Sequence, residues 1–243
     1  MNLSKFIYSN SAYFFVLFFL LALWAFWPGY FGRLDSDIPS RIHIHGISMT
    51  LWCLMLISQA LLIRFRKEQL HSIIGRFSYI LVPIILISGF HTGHVSIAGL
   101  NLSEGNYYSS IALIFNSLIV FGILYGLAIY HRKTPLVHAR YMICTIFPML
   151  TPLTDRLVYN NFPFIIGFLP TINGTPMVWL VGFVIADLIL ISLVMWDWRQ
   201  RKQINVFPVA LGLLLTYHIS VTFFYRLSWW QSIGDWIMGL PLS

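Results

Sequence analysis

The stretch 42–64, IHIHGISMTLWCLMLISQALLIR, decides the fold. From His45 to Ile63 it carries no formally charged side chain, and at ~1.5 Å of rise per residue it is long enough to cross the ~30 Å hydrocarbon core of a bilayer. Two histidines, His43 and His45, open it, and Arg64, Arg66 and Lys67 close it. Basic residues gather at cytoplasmic helix ends, so this helix runs from the outer face inward.

Working outward, apolar runs predict further spans near 12–32, 73–97, 107–130, 136–159, 175–197 and 204–226, with 42–64 as the second of seven. Of 243 residues, 58% are hydrophobic and 9% charged, against roughly 25% charged in a soluble domain. A soluble protein is excluded. The whole chain, 1–243, reads as a single all-α transmembrane domain, about seven helices in one bundle whose partner is the lipid bilayer. Its first apolar run has no small-residue cleavage site, which favours an uncleaved helix over a signal peptide.

The net charge of +7 marks topology rather than nucleic-acid binding, because the basic residues cluster in alternate loops. Arg64, Arg66, Lys67 and Arg76 lie around the second connection, Arg132, Lys133 and Arg140 around the fourth, and Arg199, Arg201 and Lys202 around the sixth. The other connections hold only Arg33, Arg41 and Arg156. The N-terminus with Lys5 is therefore cytoplasmic and the C-terminus outside. Trp229, Trp230 and Trp236 give the tail 228–238 the composition of an interfacial segment. Cys53 and Cys144 sit in apolar runs and form no CxxC site or disulfide framework. The compact loops suggest a bacterial inner membrane, and nothing in the sequence sets an oligomeric state.

Helical rise sorts the histidines into two layers. His43, His45, His91, His94 and His218 fall toward the outer face, and His71 and His138, with His131 in the loop before, toward the inner. His71 and His91 are 20 residues apart on one span, or ~30 Å, so no mononuclear site joins the layers. In the outer layer His91 and His94 are i and i+3, on one helical face, with His45 at the same depth on the neighbouring helix. With His218 or Asp155 these make a candidate metal set, His45, His91, His94 and His218, of the nitrogen and oxygen donors that zinc, copper or iron accept.

Asp155 and Arg156 are adjacent and form either a structural ion pair or a catalytic or anion-binding couple. Asp187, in the middle of span six, requires a partner, a proton or a wet cavity. Gln59 shares a helical face with His45, a face expected to point inward. Each histidine alone can also be an interhelical link satisfied by a carbonyl or hydroxyl, and His71 and His138, beside Arg76 and Arg140, can instead belong to a phospholipid-facing boundary.

The stretch HIHGISMTLWCLMLISQALLIRFRKEQLHSIIGR, continuing to FHTGH, resembles the second and third helices of the transmembrane ascorbate-reducible cytochrome b family. The His and Gly-Arg elements of LHSIIGR, echoed in VHARYM, are also similar to uncharacterised bacterial multi-helix membrane proteins. The cytochrome resemblance implies two haems b, one near each face, with His71 and His138 as the inner axial pair and His45 as an outer ligand. Span four, Tyr107 to Tyr130, has no histidine, so under this resemblance His218, His91 or His94 completes the outer set.

The sequence thus leads to a membrane oxidoreductase holding haem b or a copper/iron centre through cofactor-binding His45, His71, His138 and His218, with a quinol or other small electron donor. A zinc-dependent membrane hydrolase is the first alternative, without an HExxH motif to support it. A proton-coupled transporter using Asp187 and the Asp155/Arg156 pair is the second. Redox leads because it alone uses both histidine layers.

Overall fold

The computed structural model describes residues 3–100, 102–199 and 205–242. The chain is almost wholly helical: α1 (Leu3–Phe26), α2 (Ser40–Arg64), α3 (Glu68–Arg76), α4 (Ser78–Ala98), α5 (Glu104–Ile111), α6 (Ser117–Tyr130), α7 (Pro135–Cys144), α8 (Phe147–Asn161), α9 (Trp179–Arg199), α10 (Val206–Phe223) and α11 (Ser228–Met238). Six helical stretches among the described residues are long and apolar enough to cross a membrane, with α3 and α4 forming one, α5 and α6 another, and α7 and α8 a third. Asn10–Phe26 is a shorter apolar helix of the same character. Large apolar side chains such as Ile87 and Leu188 are 70% and 60% exposed, as lipid-facing positions are. The chain is an all-α polytopic membrane protein.

The expected first span ran to residue 32, but α1 stops at Phe26. Pro28 disfavours helical backbone in the residue before it and Gly29 adds freedom, so Trp27–Tyr30 turns. Between the fourth and fifth of these long apolar helices, where hydropathy predicts no element, Thr171–Ile172 (β1) and Thr175–Pro176 (β2) pair antiparallel. Asn173 (φ 48°) and Gly174 (φ 80°) form their turn, and Asn-Gly supports the left-handed backbone such a turn requires. Of the basic residues assigned to the sixth connection, Arg201 and Lys202 lie outside the described residues, as does the Lys5 side chain.

The helices sort into two compact units, one built from the described residues of 1–88 and 196–203, the other from those of 89–195 and 204–243. In the first, Tyr30 is 7% exposed and meets the His43 ring edge-on at 5.7 Å. Gly46 leaves it room: a Cβ there would lie 2.6 Å from the tyrosine ring. Arg64 lies over the Tyr13 ring at 5.1 Å, a cation–π contact between α1 and α2.

In the second unit, α5 and α6 are joined by a π-helical turn, Ala112–Asn116, and α11 is fastened to α5. Trp230 Nε1 donates to Tyr108 O at 3.1 Å, and the Tyr108 hydroxyl donates to Asp235 Oδ1 at 2.9 Å. The expected interfacial tail is therefore a helix with Trp229 and Trp236 exposed. Tyr108→Phe should loosen α11 by about 1 kcal/mol, one hydrogen bond, seen as faster hydrogen exchange confined to 228–238. Unchanged exchange there would show that Trp230 holds the helix alone.

Candidate functional site

In the first unit, α2 presents His45 and Gln59 on the face expected from their spacing. His45 Nδ1 lies 3.2 Å from Ser88 Oγ. The Ser88 hydroxyl also reaches Ile85 O at 3.3 Å; with that hydroxyl donating to the carbonyl, the imidazole donates from Nδ1 and Nε2 is its basic nitrogen. Gln59 is buried and links α2 to α3. Its amide is satisfied with the nitrogen toward His71, donating to His71 O at 3.1 Å and to His71 Nδ1 at 2.5 Å, while its oxygen accepts from Gly75 N–H at 3.2 Å. His71 O and Gly75 N–H are an i, i+4 pair of the helix backbone, so one side chain bridges both. His71 accepts at Nδ1 and carries its hydrogen on Nε2, the reverse of His45.

The second unit holds the remaining candidates. His138, in the first turn of α7, donates from Nδ1 to Ala128 O at 2.8 Å; a carbonyl only accepts, so Nε2 is again the basic nitrogen. Arg140, two residues on, is 1% exposed and lies over the Phe207 ring at 5.0 Å. It is packed inside the protein rather than spread at a headgroup boundary.

On α10, His218 Nδ1 meets Asp187 Oδ2 of α9 at 3.1 Å, with its ring stacked on Phe183 at 3.7 Å. Asp187 thereby acquires the partner its depth required, though its Oδ1 is buried without one. The preceding residue, Tyr217, was not singled out by sequence. Its hydroxyl donates to Leu113 O, in the π-helical turn, at 3.0 Å. Thr151 and Ser117 lie within its hydrogen-bonding reach, and Asp155 is close enough to act on it electrostatically. Asp155 Oδ1 is buried with no hydrogen-bond partner, and Arg156 donates to Pro152 O at 3.3 Å, one turn back on its own helix.

Comparison with models of protein families, with curated proteins and with solved structures returns no match.

The i, i+3 pair on α4 divides. His91 Nε2 donates to Leu242 O at 2.9 Å, whereas His94, 4% exposed, has neither ring nitrogen hydrogen-bonded. His94 lies beside Phe90, ring centroids 6.5 Å apart and planes 24° off parallel, and Phe90 packs on Phe115 of the π-helical turn at 4.7 Å. Among the described residues, no three His, Cys, Asp or Glu side chains are gathered as a metal cage. The arrangement instead offers separate imidazoles, of which His45, His91, His138 and His218 each meet a protein oxygen, and two half-buried carboxyl groups, Asp187 against His218 and Asp155 near Tyr217.

Proposed function

We propose that the chain is a redox protein of a bacterial inner membrane, with its N-terminus in the cytoplasm, holding haem b or a copper/iron centre through intramembrane histidines and taking electrons from a quinol or another small donor. One observation carries this reading: His45, His138 and His218 each hold Nδ1 against a protein oxygen. A metal-ligating histidine almost always donates its other ring N–H to a carboxylate, carbonyl or similar oxygen, which fixes the tautomer and raises the basicity of the ligating nitrogen. These three imidazoles have that form, and the chemistry of the donor set suits haem iron or copper. When bound, such a centre supplies one-electron chemistry; the chain's own share is to aim Nε2 and set its basicity. In this reading His71, with Nε2 protonated, is a structural link rather than a ligand.

The test is an absorption spectrum of the purified protein before and after dithionite, with metal analysis alongside. Haem b gives a Soret band and sharpened reduced visible bands, which His138→Ala and His218→Ala each diminish while His71→Ala leaves cofactor content near wild type. A blank spectrum together with the absence of copper and iron overturns the proposal.

A second reading, proton-coupled transport, is favoured by the unpartnered oxygens of Asp155 and Asp187 beside Tyr217–His218. Ionisable groups at membrane depth commonly mark ion or proton paths. It predicts proton movement in metal-free proteoliposomes that Asp187→Asn abolishes.

A further inference from the structure

His94 is a buried side chain with neither of its polar atoms hydrogen-bonded. Buried polar groups are nearly always hydrogen-bonded, and leaving one unmade carries the full desolvation penalty of the group. His94 is 4% exposed, and neither Nδ1 nor Nε2 has a partner. Every other histidine for which a hydrogen bond has been described above is held through at least one ring nitrogen.

The surroundings narrow what a partner would be. His94 lies four residues before the end of α4, about 6 Å along the helix, so a ligand reaching it arrives through the edge of the bilayer. Aromatic faces stand beside it, Phe90 directly and Phe115 behind Phe90. Gly93, the adjacent residue, lets the π-helical turn approach: a Cβ there would collide with Ile114. Short π-helical turns cluster at functional sites, and this one supplies both Phe115 and Ile114. No ligating side chains are grouped with His94 among the described residues, which argues against a metal cage at this point.

We propose that His94 is the hydrogen-bonding residue of a site for a lipid-soluble quinone. A neutral imidazole has one N–H donor and one basic nitrogen. The N–H donates to the carbonyl oxygen of the oxidised ring; the basic nitrogen accepts from the hydroxyl of the reduced one. A change of tautomer at the nitrogen facing the ligand lets the one imidazole serve both states of the same planar molecule, and Phe90 offers its ring a flat apolar neighbour. This rests on the redox reading above for its purpose and names where the electron donor docks, but the binding itself requires no metal.

The experiment uses the full chain in detergent or proteoliposomes, with decylubiquinone as the probe and an azido-ubiquinone as photolabel. Label is expected on the peptides covering 89–98 and 112–116 and to be displaced by excess decylubiquinone. His94→Ala should raise the dissociation constant roughly tenfold or more, the effect of a lost buried hydrogen bond. His94→Gln, which keeps a donor and an acceptor, should stay within severalfold of wild type. Wild-type labelling needs no variant, so a substitution that fails to fold does not blunt the test. Label placed elsewhere, or affinity unchanged in a folded His94→Ala protein, overturns the proposal. Labelling at His94 with a blank dithionite spectrum and no copper or iron would leave this site standing and sink the redox reading; reduced haem bands without labelling would do the reverse.

Discussion

Gly182→Ala is expected to destabilise the protein by about 3 kcal/mol, the upper part of the range for inserting volume into a packed interior. A Cβ at this position would lie 2.6 Å from Thr154 Oγ1, 2.7 Å from Thr151 Cα and 3.1 Å from Thr151 N. Two of those three atoms are backbone, so no rotamer change relieves the clash and α8 must move from α9. The same displacement reaches the polar cluster, because Phe183 follows Gly182 directly, Asp187 lies about a turn and a half further along α9, and Thr151 reaches toward Tyr217. Gly126 and Gly212, where a Cβ would meet nothing within 4 Å, are the controls. Alanine there should be neutral or stabilise by roughly 0.5–1 kcal/mol through helix propensity. Unfolding midpoints in one detergent decide it, and a Gly182→Ala midpoint equal to that of the controls would mean that α8 and α9 are not packed this closely.

His218→Ala is the second large effect. The substitution leaves Asp187 with neither oxygen hydrogen-bonded, since Oδ1 already has no partner and Oδ2 loses its 3.1 Å contact. It also removes the ring stacked on Phe183 at 3.7 Å. Breaking a fully buried pair by removing one member costs roughly 3–5 kcal/mol. The two side chains here are 10% and 23% exposed, which lowers the expectation to about 2 kcal/mol. Because most of that loss is the stranded carboxyl group, adding Asp187→Leu should restore a good part of it. The double-mutant cycle measures the coupling directly. A double variant as unstable as the sum of the two singles would show that the residues do not act as a pair.

These residues also show how far sequence reasoning reaches. The spans were legible because they rest on composition and length, which tertiary packing cannot override. The end of α1 was misplaced by about six residues because hydropathy does not distinguish Trp27–Tyr30 from the run before it; Pro28 and Gly29 do. The Asn173–Gly174 turn carries a sequence signal of its own, inside a connection that hydropathy leaves without an element. At the candidate site, the sequence alone marks Asp187 as needing a partner and Gln59 as facing inward. His218 and the His71–Gly75 backbone could not be named, since each pairing joins side chains or backbone of different helices and depends on how those helices are rotated. Tyr217 gave no signal at all: in a chain that is 17% aromatic, an interfacial or packing role is the default for any tyrosine. Nor does a sequence show which ring nitrogen of a histidine is tethered, although that distinction separates His71 from His45 and His138.

The π-helical turn at Ala112–Asn116 acts on everything downstream of it as a phase shift. A π-type turn accommodates one residue beyond the α-helical count, and each residue advances the helical wheel by about 100°. Ser117–Tyr130 is thus clocked differently from a wheel drawn through Gly105 without interruption, and Asn116 comes to meet Ser220 at 2.7 Å while the Leu113 carbonyl serves Tyr217. Deleting a single residue between 112 and 116 would remove the one the wide turn absorbs, so that an unbroken α-helix carries Ser117–Tyr130 at close to its present azimuth, whereas forcing all five residues into α-helix would swing that segment by about 100°.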